Sequence, residues 1–524
     1  MHKKKIIYFA AALLIALVIV PALNAQGRRQ QPPEYREIVA AGRMEDAAAR
    51  LKELERIKTA YPDSQMIEAI ENFILETRIE LATSLETVLD LQKKSMAAVQ
   101  GPRRLTNYIQ MANQLLNHPM LDSFDQARIL STMLEYRQGA KTTSEDPALF
   151  TDMADNQKEQ VIIFYVTGMN VPLAQAYLKA GQATNALESL KTFQSEGGVP
   201  SFSFNFSLGE VYSALDRKEA ALEAFLKASV EPTGGGADKM AADKAKAVYV
   251  EINGSADGFE AVLEAKSKEL PYHADKYKGP SDWKGKAVLA ELFTGSECPP
   301  CVGADLGFDG LLEAYPQKYL VILQYHLPIP RPDPMMNPAT KLRQDFYGIR
   351  STPSVIMEGT EKVVGGGSRG MAEGKYKQYK ALIDPLIAAL PGVKLEVRAS
   401  INGSIVSVDY DFDKIIPGAD YQAVLVQDDV EYQGSNRLKN HKMVVRDLVT
   451  VDTSAAKKIR FDLAASEKET DKYLTEFAET YTRIPNFKWP VRHNAIAREG
   501  LKVVFFAQDR ESKAVLNAVI TDVK

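Results

Sequence analysis

The sequence predicts a multidomain protein: an α-helical array, then an α/β domain, then a mostly-β, sandwich-like domain. Three observations carry this. From Tyr35 to about Val250 the chain is rich in Ala, Leu, Glu, Lys and Gln, with apolar residues three and four apart. From Ala287 the period changes to continuous apolar runs of strand length, "AVLAELF" and "YLVILQY". Beyond Pro391 short alternating segments separated by turn residues take over. The expected divisions are a leader over 1–25, a helical domain over 33–275, an α/β domain over 284–392 and a β domain over 393–524.

The basic start "MHKKK", the apolar run "IIYFAAALLIALVIV" and then Pro21 and Ala25 have the shape of a secretory signal. Leu23 only half meets the small-residue rule at the cleavage point, which leaves an uncleaved membrane anchor as the other reading. Both predict export, to the periplasm or the cell exterior. A net charge of -4 over 524 residues argues against a nucleic-acid binder, which needs a basic surface.

The helical region contains an internal repeat. "PLAQAYLKAGQATNALESL" (Pro172–Leu190) aligns with "SLGEVYSALDRKEAALEAF" (Ser207–Phe225) at an offset of 35. Leu173 meets Leu208, Ala174 meets Gly209, Tyr177 meets Tyr212, Ala186 meets Ala221 and Leu190 meets Phe225. Small residues fall where two helices approach closely. The pattern resembles tetratricopeptide repeats, which implies either a docking surface for a protein or peptide or a plain packed helical domain. "YKGPSDWKGK" (Tyr277–Lys286) reads as a linker, with Trp283 as a packing residue.

The α/β region is expected to run strand (287–293), helix, strand (319–325), with Cys301, Ala304, Phe308, Leu311 and Tyr315 on one helix face. A hairpin turning at Glu358-Gly359 and a helix from about Met371 to Leu390 follow. In the β region Asn402-Gly403 marks a tight hairpin, and one helix near 466–483 interrupts the strands.

Cys298 and Cys301 are the only cysteines. In an exported chain large enough to fold without staples, a lone Cys-x-x-Cys is a redox dithiol or half a metal site. No second ligand pair is available for structural zinc, so no metal is expected there and no cofactor is implied. The motif lies where a strand ends and a helix begins. With Cys298 at the N-cap, Pro299 and Pro300 fill the first helical positions, where proline is tolerated. The helix N-terminus favours the Cys298 thiolate, so Cys298 is expected to be exposed and to attack first, with Cys301 resolving the mixed disulfide.

Segment 284–392 resembles the thioredoxin superfamily, particularly its exported TlpA-like and Omp28-like branches. The strand "VLAELF", the "CPPC" at a helix start and "RSTPSVIMEG" carry the resemblance. It implies a cis-proline at Thr352-Pro353 beside the dithiol, where a substrate peptide would pair. It also implies a buried acid six residues before Cys298. Leu292 stands there, and a loop one residue longer would put Glu291 in the acid's place, as proton acceptor for Cys301. "QYHLPIPRPDPMMNP" (Gln324–Pro338) reads as a stiff lip for substrate contact, with His326 near the dithiol, tuning Cys298 or binding copper as in Sco-type chaperones. A peroxidase fits less well, because the two prolines remove N–H groups that would stabilise a peroxide.

The predicted function is therefore an exported protein thiol-disulfide oxidoreductase. Its partners are protein thiols or disulfides and a protein that recycles the dithiol. The prolines leave few N–H donors for the Cys298 thiolate, which predicts a reductase. A copper-binding metallochaperone and a scaffold with an inactive dithiol domain are the alternatives. His441, Arg446 and His493 read equally as surface or strand-packing residues and as ligands.

Overall fold

A computed structural model of the protein describes residues 32–524 except 152, 234–235 and 455–456. The expected leader over 1–25 and most of the polar linker after it lie outside the described residues. The chain divides into two compact units, one helical and one built on a mixed sheet.

The helical unit ends at Phe259. Its helices are α1 (Pro33–Gly42), α2 (Ala47–Ala60), α3 (Ile67–Leu81), α4 (Leu85–Ala98), α5 (Arg103–Leu116), α6 (Gln126–Ser144), α7 (Asp155–Tyr165), α8 (Asn170–Lys179), α9 (Ala183–Ser195), α10 (Phe202–Ala214), α11 (Lys218–Ser229) and α12 (Ala237–Asn253). Polar side chains start several of them: Asp46, Ser84 and Asp125 accept backbone N–H groups at the heads of α2, α4 and α6. The repeat seen in the sequence is two successive helix pairs, α8 with α9 and α10 with α11. Ala174, Ala186 and Ala221 are fully buried. Gly209 is required by packing, because a Cβ there would sit 2.6 Å from the Phe225 ring.

The second unit runs from Glu260 to Lys524 and takes in 230–232. Its helices are α13 (Phe259–Lys268), α14 (Val302–Ala314), α15 (Pro338–Tyr347), α16 (Ala372–Ile387) and α17 (Leu463–Thr480). Its strands are β1 (Val288–Thr294), β2 (Leu320–His326), β3 (Ser354–Met357), β4 (Glu361–Val364), β5 (Leu395–Asn402), β6 (Ile405–Phe412), β7 (Ala419–Gln427), β8 (Val430–Glu431), β9 (Asn440–His441), β10 (Val444–Thr450), β11 (Lys458–Asp462), β12 (Leu501–Asp509) and β13 (Val515–Asp522). An eight-stranded sheet has the order β13-β12-β7-β10-β2-β1-β3-β4. β1 and β2 are parallel, with α14 as the crossover between them, and β3 runs antiparallel to β1. The turns at Glu358-Gly359 and Gly403-Ser404 close the two expected hairpins, with positive φ at Glu358, Gly359 and Gly403.

Two features differ from the sequence reading. First, not all the strands after residue 393 stand apart from the α/β sheet. β7, β10, β12 and β13 extend the sheet of β1–β4, joined where β10 pairs with β2 at Val444 and Gln324. β2 is buried along its whole length, so its outer edge would otherwise leave backbone groups unpaired away from water. The facing three-stranded sheet β11-β6-β5 shares an apolar core with β7 and β12, so a two-layer arrangement survives locally. Second, Tyr277–Lys286 is a packed strap. Tyr277 N–H donates to the Ala314 carbonyl at 2.9 Å, and its ring stacks on Tyr315. Trp283 packs edge-on against Tyr319, and Lys286 is buried in an ion pair with Glu358 at 2.5 Å. Aromatic residues in a short segment supply the apolar area that holds it down.

Candidate functional site

Cys298 and Cys301 form a disulfide, with Cα atoms 5.3 Å apart, at the head of α14. Pro299–Cys301 makes a short 3-10 turn before the α-helix starts at Val302. The Cys301 N–H donates to the Cys298 carbonyl at 2.9 Å. Thr352-Pro353 is cis, and the Thr352 hydroxyl lies 3.4 Å from Cys298 Sγ. That hydroxyl has one proton and a nearer acceptor, the Ile329 carbonyl at 2.7 Å. The glycine run after β4 seals the other side. Gly367 N–H donates to the Pro300 carbonyl at 2.7 Å, and a Cβ on Gly366 would sit 1.9 Å from that same oxygen.

Cys298 is not exposed, contrary to expectation: both cysteines have 0% of their surface accessible. The cover comes from chain far away in sequence. Between β8 and β9, Asn436 N–H donates to the Ser296 carbonyl, and Gly434 lies so close that a Cβ would meet that oxygen at 2.4 Å. Tyr432 donates its hydroxyl to Glu297 at 2.9 Å, and Leu438 packs with Val302 and Leu306.

Glu291 does not serve the dithiol. It is fully buried on the sheet face that meets α15, where Arg343 donates to both of its oxygens at 2.7 and 2.8 Å. Tyr325 and Tyr347 donate to it at 2.9 and 2.6 Å. Side chains alternate faces along a strand, so Glu291 and the dithiol helix lie on opposite sides of β1. The acid on the dithiol side is Asp305, one helical turn after Cys301. It accepts the Thr294 hydroxyl at 2.6 Å. Its Oδ2 has no well-formed hydrogen bond among the described residues, although the buried Asn436 amide lies close enough to favour the carboxylate. Burial pushes its carboxyl up to about 7, against the Thr294 hydrogen bond and the field of His326. The i, i+4 spacing from Cys301 to Asp305 was the available sequence signal, hidden because an acid near a helix start is ordinary.

His326 is buried at the end of β2, with Nδ1 3.0 Å from Asp333 Oδ2. Asp333 also accepts the Ser296 N–H and hydroxyl, at 2.6 and 2.8 Å, so it ties the 327–337 segment to the loop preceding the cysteines. Burial works to raise Asp333, but His326 and these donors outweigh it and hold the carboxyl below its usual value. The proline-rich segment is thus no free lip: Leu327, Asp333, Met335 and Met336 are buried. The His326 ring packs edge-on against His441, 5.0 Å between centres. Burial, with His326 adding to it, lowers His441 to about 3. Arg446 donates to the His493 and Ala495 carbonyls. Among the described residues no three His, Cys, Asp or Glu side chains are placed to hold a metal ion.

Comparison with known proteins finds no matching family model, no similar curated protein and no similar solved structure.

Proposed function

We propose that the protein is a thioredoxin-like thiol-disulfide oxidoreductase, exported, that acts on protein disulfides through Cys298 and Cys301. The observation that carries this is the Cys298–Cys301 disulfide at a helix head with the Thr352 hydroxyl 3.4 Å from Cys298 Sγ. A disulfide closing a loop of two prolines adds little stability to a unit this large, which favours chemistry over stapling. The substrate thiol attacks, or is released from, Cys298, and Thr352-Pro353 offers the backbone edge on which a peptide pairs. The 432–438 loop must swing away first, so it sets which partners gain access. The repeated helix pairs of the helical unit, read as tetratricopeptide-like, offer a second place for a partner to dock.

The reaction direction follows from the donors around Cys298. Pro299 and Pro300 contribute no N–H, the Cys301 N–H is engaged by the Cys298 carbonyl, and the Thr352 proton has the nearer Ile329 carbonyl. A poorly solvated thiolate disfavours the reduced form, so the dithiol works as a reductant.

Trapping tests the function. The Cys301→Ser chain, expressed with its leader, is expected to accumulate mixed disulfides through Cys298 that dithiothreitol releases. No trapped proteins, together with no phenotype on removing both cysteines, would leave a scaffold. A reduction potential near -120 mV, as for strong oxidants, rather than toward roughly -270 mV, would reverse the direction.

A further inference from the structure

With both sulfurs buried, a proton taken up or released at Cys301 has no direct path to bulk water. Helix α14 carries a row of acids between the dithiol and its exposed end. Asp305, Asp309 and Glu313 stand four residues apart on one ridge of the helix, and Cys301 stands four residues before Asp305 in the turn that leads into it. Cys301 and Asp305 are buried, Asp309 is half-buried and Glu313 is exposed. Burial pushes Asp309, like Asp305, up to about 7, with neighbouring carboxylates adding to the rise.

The inner end of the ridge is under-satisfied. Asp305 Oδ2, His326 Nε2, Asn436 Nδ2 and the Tyr379 hydroxyl are all buried without a well-formed hydrogen bond. Structural polar groups at such depth are normally paired, as Glu291 is. Thr294 from β1 bonds Asp305 directly, the charged or polar groups that act on it from other elements are His326 at the end of β2, Asp333 and Asn436, and Tyr379 on α16 in turn feels its charge. Asp309 feels Arg369, Lys442, Tyr272 and Glu313 besides Asp305.

We infer that Asp305, Asp309 and Glu313 form a proton ladder from Cys301 to solvent, with Asp305 exchanging the proton with the sulfur. This rests on the exchange reading above. When the thiolate of a dithiol reductant attacks Cys298 Sγ, the S–S bond breaks and its electron pair goes to Cys301 Sγ. Asp305 protonates that sulfur and becomes a carboxylate, and Asp309 and Glu313 return a proton from water. The reductant's second thiolate then displaces Cys298, so the partner is oxidised by two electrons and the protein dithiol is reduced by two. In resolution the path runs backwards: Asp305 takes the Cys301 proton as that sulfur attacks the mixed disulfide.

The test is reduction of the oxidised full chain by dithiothreitol between pH 5 and 9, with rates referred to the thiolate form of the reagent. The wild-type rate is expected to fall as pH rises through neutrality, because the acid form of Asp305 is lost. Asp305→Asn should remove that fall and be at least about tenfold slower at pH 6, while Asp305→Glu should restore both. Asp309→Asn should be slower by about threefold and show a larger solvent deuterium isotope effect. An Asp305→Asn chain with the wild-type rate and pH profile overturns the ladder and leaves the exchange reading standing. A wild-type disulfide that dithiothreitol cannot open overturns both. If Asp305→Asn does not fold, an unchanged rate and isotope effect in Asp309→Asn overturn the ladder.

Discussion

Glu291 and Asp305 are both buried carboxylates in contact with the same sheet, and their surroundings are opposites. Glu291 has both oxygens occupied by Arg343, Tyr325 and Tyr347, and Arg343 reaches on to Gln508 at 2.9 Å across the sheet. Asp305 has one short hydrogen bond and one oxygen without a well-formed one. Burial alone therefore does not distinguish an acid that builds the fold from one available for proton transfer. The completeness of its hydrogen bonding does.

The largest expected effect is on the satisfied side. Arg343→Ala leaves Glu291 buried and unpaired and should cost about 3–5 kcal/mol, read as a lowered urea midpoint. An unchanged midpoint would break the comparison, since the ion pair would then hold nothing together.

The next effect is on the other side and depends on pH. Burial raises the folded-state pKa of Asp305 above its ordinary value, to about 7, so the folded chain holds that proton more tightly than the unfolded chain. Its contribution to stability is full below about pH 4 and is lost as pH rises toward 7. Wild type should lose stability relative to Asp305→Asn across that window, by on the order of a few kcal/mol. Denaturation curves for the two chains that shift in parallel from pH 4 to 7 would count against a raised pKa.

Single hydroxyls give the smallest effects. Tyr347→Phe removes one donor from Glu291 and should cost about 1.5–3 kcal/mol, the range for a hydrogen bond to a charged group. Thr294→Val removes the short hydrogen bond to Asp305. It should cost about 1 kcal/mol or less if Asp305 stays protonated, and it should move the Asp305 titration, followed by carboxyl carbon NMR, to higher pH. Equal costs for the two variants would erase the distinction between the sites.

Much of the local structure was legible because it depends on near neighbours. The run Val288–Thr294, the prolines at a helix start, the turns at Glu358-Gly359 and at Gly403, one residue past the expected start, and the repeat around Gly209 each express a short-range rule. So was the approach of Thr352 to Cys298, through a resemblance carried by two separated motifs. Glu291 was misassigned by one residue. In a strand, one residue is the difference between the two faces, and a loop-length argument cannot choose between them.

The sequence by itself determined that the first half is helical, where several strands of the second half lie, which residues could be chemically reactive, and that the two sulfurs sit at a helix head. Those depend on backbone preference, side-chain period and residue type, all local quantities. Only the tertiary structure decided that the later strands complete the sheet beside β2, that Gly434 and Asn436 close over Ser296 next to the buried Cys298, and that Asp305 rather than Glu291 shares the dithiol's side. These outcomes arise because a buried strand edge and buried polar groups must find partners, and the partners come from wherever the folded chain returns.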